Sequence, residues 1–181
     1  MSGDKVRIRY ISDTDWDAIA AMESRAYAQL GLSEGRAALR SRADVSPETC
    51  FVLDVGSEIA GYVLALPYPL FGYPDLEQAE ESLVSFHRPR NLHLHDIVVA
   101  ERLRGRRLGG RLHDHLILAA AARGFERISL VAVGGSEPFW SAHGYIAYPS
   151  ISPSGYGVNA VYMSRTMAES TKRVDVRISL S

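Results

Sequence analysis

Between Asp96 and Leu112 the sequence runs strand, turn, helix, and this stretch narrows the folds open to the chain more than any other. Asp96-Ile97-Val98-Val99 is the end of an apolar strand, and Ala100-Glu101-Arg102-Leu103 is a short connector. Arg104-Gly105-Arg106-Arg107-Leu108-Gly109-Gly110-Arg111-Leu112 then opens a helix over 108–123. Its apolar residues Leu108, Leu112, Leu116, Ala119 and Ala120 share one face, and Gly124 stops it. The first N–H groups of such a helix are unpaired and carry partial positive charge, which suits a phosphate or pyrophosphate. Glycines let a ligand approach the backbone, and arginines add charge-assisted contacts. The stretch lacks the Gly-Lys-Ser/Thr ending of a Walker loop and the G-x-G-x-x-G spacing of a dinucleotide fold. A tight turn with solvated arginines is the competing explanation.

The flanking pattern fits one layered domain. Val6 to Ile11 alternates like a half-buried strand, and Ser12-Asp13-Thr14-Asp15 has the spacing of a helix start. A helix is expected at about 14–30, ended by Gly31, with a second at 33–42. Cys50–Val55 and Ile59–Leu66 read as a hairpin around Gly56-Ser57. The Pro- and aromatic-rich stretch 67–75 reads as a loop that either walls a site or packs its own rings, and Leu76–Phe86 as a short helix. Strands at 92–99 and 128–133, a short helix at 137–143 and strands at 145–148 and 158–167 complete the order. The fold class is α+β (mixed α/β), with one central sheet. The domain is taken as 1–181 with its core at about 6–167. The alternating tail 168–181 is either a further edge strand or one exchanged with a partner, so a homodimer is possible.

Composition excludes more than it identifies. A formal net charge of -1 gives no global case for nucleic acid or an anionic membrane. The polar N-terminus lacks a signal core, and no apolar run approaches the roughly 20 residues of a membrane span, so a cytoplasmic protein is expected. One cysteine, Cys50, rules out an intramolecular disulfide and, in its apolar strand, is a poor nucleophile.

His93-Leu94-His95 stands out inside the strand that enters the turn. Alternate strand residues share a face, so both imidazoles point one way about 6–7 Å apart, and Asp96 points to the other face. A pair near pKa 6.5 is suited to taking a proton from an ammonium group. Metal binding is the rival reading, but a third ligand is missing. Satisfied core histidines are the plainest alternative. His113, Asp114 and His115, consecutive on the main helix, are read as mostly solvated.

These segments resemble the GNAT superfamily of N-acetyltransferases. Its acetyl-CoA motif is Gln/Arg-x-x-Gly-x-Gly/Ala at a helix start. Arg104-Gly105-Arg106-Arg107-Leu108-Gly109 fits at Arg104 and Gly109 and departs at Arg107, where the family usually has glycine. If φ is positive there, arginine costs about 1 kcal/mol or more. Ser136-Glu137-Pro138-Phe139-Trp140-Ser141-Ala142-His143-Gly144-Tyr145 is similar to the family's Phe-Tyr-x-x-x-Gly-Phe segment. It departs at Trp140, where many members carry a tyrosine that protonates the leaving thiolate. Glu81-Ser82-Leu83 with His87-Arg88 and the His-x-His strand are similar to the arylalkylamine (serotonin) N-acetyltransferase branch.

The resemblance implies a mostly antiparallel sheet flanked by helices, splayed at the acetyl-CoA site, and acetyl transfer to a primary amine such as an arylalkylamine. It implies acetyl-CoA contacts at Ile97, Val98, Val99, Arg104, Gly105, Arg106, Arg107, Leu108, Gly109, Gly110, Ser136, Phe139 and Trp140, with no metal. His93 and His95 are the implied base. With Trp140 unable to serve as acid, Tyr145, Tyr148, Tyr156 and Tyr162 remain as replacements, and Tyr145 joins the histidines as the candidate catalytic set. Pro47, Tyr68, Phe71 and Tyr162 are the candidate substrate residues. A peptide amine as acceptor, or a non-catalytic acyl-CoA sensor, are the alternatives.

Overall fold

The computed structural model of the protein describes residues 5–80 and 89–167. Strand β1 (Val6–Tyr10) leads through Ser12 into helix α1 (Trp16–Tyr27). The expected helix start forms: the Ser12 N–H donates to Asp15 Oδ2 at 2.7 Å. A 3-10 turn, Ala28–Leu30, extends the helix to Gly31. Helix α2 spans Arg36–Val45, displaced from the expected 33–42, because Gly35 starts it in a backbone region open to glycine, at φ 85°. Strands β2 (Phe51–Val55) and β3 (Glu58–Pro67) form the expected hairpin. Then follow β4 (Asn91–Val99), α3 (Leu108–Ala122), β5 (Arg127–Ala132), α4 (Glu137–Ala142), β6 (Ile146–Ala147) and β7 (Val161–Thr166). Residues 76–80 form turns and not the expected helix; the rest of that segment, and the tail 168–181, lie outside the described residues.

Among the described residues the strands form one sheet in the order β1-β2-β3-β4-β5-β7-β6. The β4–β5 pair is parallel and the other pairs are antiparallel. Helices α1 and α2 cover one face, where Trp16, Ile19 and Leu39 pack on Val52, Tyr62, Leu64 and Val98. Helix α3 covers the other. Leu108, Leu112, Leu116 and Ala120 recur every fourth position and are buried against Leu53, Leu92 and Ile128. Truncating Leu112 or Leu116 to alanine removes about 2–5 kcal/mol. Gly61 permits this helix to sit close to β3. A Cβ there would lie 2.8 Å from the Val98 carbonyl and 3.2 Å from the Leu112 side chain.

Two irregularities shape the site. First, β4 and β5 pair only from Asn91–Arg127 to His93–Ser129. Beyond that point β4 stays with β3 as far as Val99 and β5 stays with β7 as far as Ala132, so the sheet opens as a V. Second, β4 carries a bulge at His95: Leu64 pairs Asp96 and Ala65 pairs Leu94, leaving His95 without a register partner. Upstream, Leu92 and Leu94 face the α3 core. Downstream, Asp96 and Val98 face α1 and α2.

Candidate active site

The V between β4 and β5 holds a cleft of about 320 Å³. Ile97, Val98 and Val99 form one wall, Leu130 and Val131 the other, and Ser136, Phe139 and Trp140 close one end. Arg104 and Gly109 stand at its mouth, at the start of α3. Among the described residues no side chain caps this helix, which leaves its first-turn N–H groups to meet an anion. Arg104, Arg106, Arg107 and Arg111 are exposed, and none has an ion-pair partner among the described residues. Four guanidinium groups without ion-pair partners among the described residues, beside an uncapped helix start, fit the phosphates of a CoA thioester, and the cleft between the two strands fits its pantetheine arm.

The sequence-expected cofactor residues divide accordingly. Gly105, Arg106 and Arg107 form the exposed turn, whereas the Leu108 side chain is buried in the core and does not line the cleft. Gly110 faces His143 across the helix. Arg107 adopts φ 59°, ψ 20°, the left-handed conformation that glycine takes without strain.

A smaller pocket of about 50 Å³ adjoins the cleft, sharing Tyr27, His95, Asp96, Val131 and Val133 with it. Its remaining polar wall is Glu23, Glu34 and Tyr156. His95 stands at the junction. Its side chain is 2% exposed, and its Nε2 meets Glu34 Oε2 at 2.5 Å. That carboxylate can only accept, so it fixes the tautomer with hydrogen on Nε2. Nδ1 is buried and has no hydrogen-bond partner among the described residues. Burial alone would raise the Glu34 pKa, but the His95 hydrogen bond and the Arg42 charge outweigh it and hold the carboxylate below its ordinary range. Arg42 is fully buried; its Nε donates to Glu34 Oε1 at 2.9 Å and its Nη1 to Glu80 Oε1 at 2.7 Å. Its Nη2 reaches the Asp75 carbonyl at 2.8 Å.

Asp96 departs from the expected placement. The bulge at His95 breaks the alternation and turns Asp96 onto the same side as the histidines. There it accepts hydrogen bonds from Tyr27, at 2.7 Å, and from Tyr62. Burial raises its pKa to about 6, against the two hydrogen bonds that favour its charged form.

His93 is separated from this junction. Its ring lies 6.3 Å from that of His95, but its Nδ1 pairs with Ser129 Oγ at 3.1 Å and it lines neither pocket. Burial, then His95 and Arg42, push its pKa well below the ordinary imidazole value, so it is neutral. Tyr145 is also withdrawn. It is buried, lies outside the cleft lining and shares a hydrogen bond of 3.0 Å with His113 Nε2. His113 is therefore a core histidine and not the solvated side chain expected from its helical neighbours; Trp140 packs at 6.0 Å from it. Burial pushes the Cys50 thiol up to about 12, which leaves it inert.

The expected substrate residues gather elsewhere. Tyr162 Oη accepts from the Phe71 N–H at 2.8 Å, and the Tyr68 ring lies tilted 6.0 Å from that of His93. Tyr73 and Tyr156 meet edge to face. The aromatics of the 67–75 loop thus pack against His93, Tyr148, Tyr156 and Tyr162. Pro47 lines a separate surface groove with Trp16 and Cys50. Glu23, Tyr27, Glu34, Arg42 and Asp96 were not anticipated. No motif marks them, and Glu34 and His95 are brought together only by the fold.

Residues 16–145 match the Acetyltransferase (GNAT) family. No curated protein matches the chain. Among solved structures it is similar to the loading GNATL domain of CurA from Lyngbya majuscula, at 16% identity over 91% of this chain and 98% of that one, with a TM-score of 0.74. It is similar to Ard1 from Thermoplasma volcanium at 18% identity over 89% and 97%, with a TM-score of 0.65. It is also similar to the GphF GNAT-like decarboxylase in complex with isobutyryl-CoA, at 22% identity over 89% and 99%, with a TM-score of 0.69. At these identities the likeness is one of fold. The family match, by contrast, runs from the start of α1 through both walls of the cleft to Tyr145, and with it the chain belongs to the acetyltransferase (GNAT) family.

Proposed function

We propose that this protein transfers an acetyl group from acetyl-CoA to a primary amine, with His95 as the base that frees the amine. The observation that carries the reading is the His95 ring. It sits where the cleft meets the pocket, with Nε2 fixed on Glu34 and Nδ1 buried but without a hydrogen-bond partner. An alkylamine is protonated near pH 7 and cannot attack until it loses that proton. His95 Nδ1 accepts it, and Glu34 stabilises the imidazolium that forms, much as the acid of a catalytic triad does. Acetyl-CoA supplies the reactive thioester: the nitrogen bonds to its carbonyl carbon, the C–S bond breaks, and CoA leaves with the electron pair. The second nitrogen proton ends on the sulfur. A thiol of ordinary pKa, about 8.5, is a good enough leaving group to need no acid in place of Trp140. Tyr145, committed to His113, is not assigned that role.

The expected His93–His95 relay narrows to His95, and His93 supports the strand through Ser129. The pocket that shares His95 with the cleft is where the acceptor amine meets that base.

The test is calorimetry with acetyl-CoA together with thiol release across a panel of amines. The expected result is binding plus release that depends on the amine. Tight binding with no release on any amine would leave an acyl-CoA sensor as the correct reading.

A further inference from the structure

The pocket beside His95 carries more negative charge than the reaction requires. Glu34 is offset by Arg42, which it shares with Glu80. Glu23 and Asp96 have no cationic partner among the described residues. Glu23 is 1% exposed and Asp96 5%. Glu23 accepts from Ser33 Oγ at 2.7 Å and the Glu34 N–H at 2.6 Å, and Asp96 accepts from two tyrosines. Hydrogen bonds of this kind satisfy the oxygens but not the charge. Keeping two buried carboxylates charged without a counter-ion is costly, and a cation held between them would offset that cost.

The reacting nitrogen is a poor candidate for that cation. It must be neutral when it attacks, and carboxylates around it would hold its proton on. Contacts made to its charged form are lost in the transition state and do not accelerate the reaction. A second nitrogen that stays charged throughout has neither fault. His95, which lines both the cleft and this pocket and whose buried Nδ1 has no partner, marks where the first nitrogen is handled and leaves Glu23 and Asp96 for the second.

We infer that the acceptor is an alkyl diamine or polyamine, whose non-reacting ammonium group sits between Glu23 and Asp96 while the other end meets His95. This rests on the transferase reading for the word acceptor, but the cation pocket stands on its own geometry. Leu32, Leu76 and Val133 provide apolar wall for the few methylenes between the nitrogens.

The experiment is a calorimetric titration of the CoA-bound full-length protein with 1,3-diaminopropane and with butylamine, which replaces one ammonium by a methyl group at equal size. Phenethylamine is the aromatic comparison. Thiol release from acetyl-CoA is measured with the same amines. The diamine should bind about 10- to 100-fold tighter than butylamine, the range for a charge-assisted hydrogen bond. Glu23→Gln should bring that ratio close to one. Equal binding of diamine and butylamine, tighter binding of phenethylamine, or no binding of any amine overturns the inference, and the wild-type comparison alone decides this even if the variant does not fold. Selective diamine binding without thiol release on any amine upholds the cation pocket and removes the transferase reading.

Discussion

Arg107 is an arginine in a backbone conformation suited to glycine, at the point where the cofactor phosphates are expected. Arg107→Gly therefore separates folding strain from ligand charge. At φ 59°, ψ 20° an L-residue costs about 1–2 kcal/mol relative to right-handed backbone. Glycine relieves this but gives back about 0.5–1 kcal/mol through its freer unfolded chain. Arg107 is exposed and its side chain has no ion-pair partner among the described residues to set against the relief. The net gain is about 0.5–1 kcal/mol, or a rise of about 1–4 °C in Tm for a chain of this length. The same substitution removes a guanidinium from the phosphate site. Hydrogen bonds to charged groups contribute about 1.5–3 kcal/mol, so the Kd for acetyl-CoA should rise by about tenfold or more. Scanning calorimetry of the free protein reads the first effect and titration with acetyl-CoA the second. Arg107→Asn, neutral but tolerant of the left-handed region, should show the loss of affinity with little change in Tm. A fall in the Tm of Arg107→Gly would refute the strain argument. An unchanged Kd would refute the placement of the phosphates beside Arg107.

Three further expectations follow from other parts of the site. His95→Ala should lower kcat/KM by about 10²–10⁴, most severely below about pH 7.5, with acetyl-CoA affinity within about twofold; a parallel loss at every pH would remove the base assignment. His113, whose pKa burial first and then His143 and Arg165 lower to about 4, is neutral in the fold and titrates near 6.5 when unfolded. Its contribution is present above that unfolded value and lost as pH falls toward 4, so urea unfolding should show about 2 kcal/mol less stability at about pH 5 than at about pH 7.5, and His113→Gln should flatten that difference. Arg42→Met leaves Glu34 and Glu80 buried without their shared cation and should cost about 3–5 kcal/mol in denaturant unfolding; a loss below about 1 kcal/mol would show that these carboxylates have other support.

The features legible in the sequence were those written in neighbouring residues. The turn from Val99 to Leu108, the α3 stripe and the Gly56 hairpin each follow from local chemistry, and each forms. Even the penalty at Arg107 was readable, because one departure from a motif of known backbone shape implies its φ. The acceptor side was not legible. Glu34 lies in a loop without a motif, and only the packing of α2 over the sheet brings it to His95. Simple alternation sent Asp96 to the wrong face, since nothing in Leu94-His95-Asp96 announces a bulge. Helical neighbours suggested solvent for His113, but the Tyr145 hydroxyl inside the core gives that ring a partner. The aromatic loop at 67–75 had two readings, and its rings find partners in His93, Tyr148, Tyr156 and Tyr162 without a ligand.

The bulge in β4 also has a consequence for how such a chain can change over generations. A regular strand offers a given face only every second side chain, so His95 and Asp96 could not both serve one pocket. The extra residue lifts that restriction locally while the strand segments on either side keep their own alternation. Deleting His95 would therefore restore an ordinary strand, with Leu94 still toward α3 and Asp96 and Val98 still toward α1. The fold would survive the loss of a single codon and the proposed chemistry would not. At this position, tolerance of length change and conservation of activity are set by different physics.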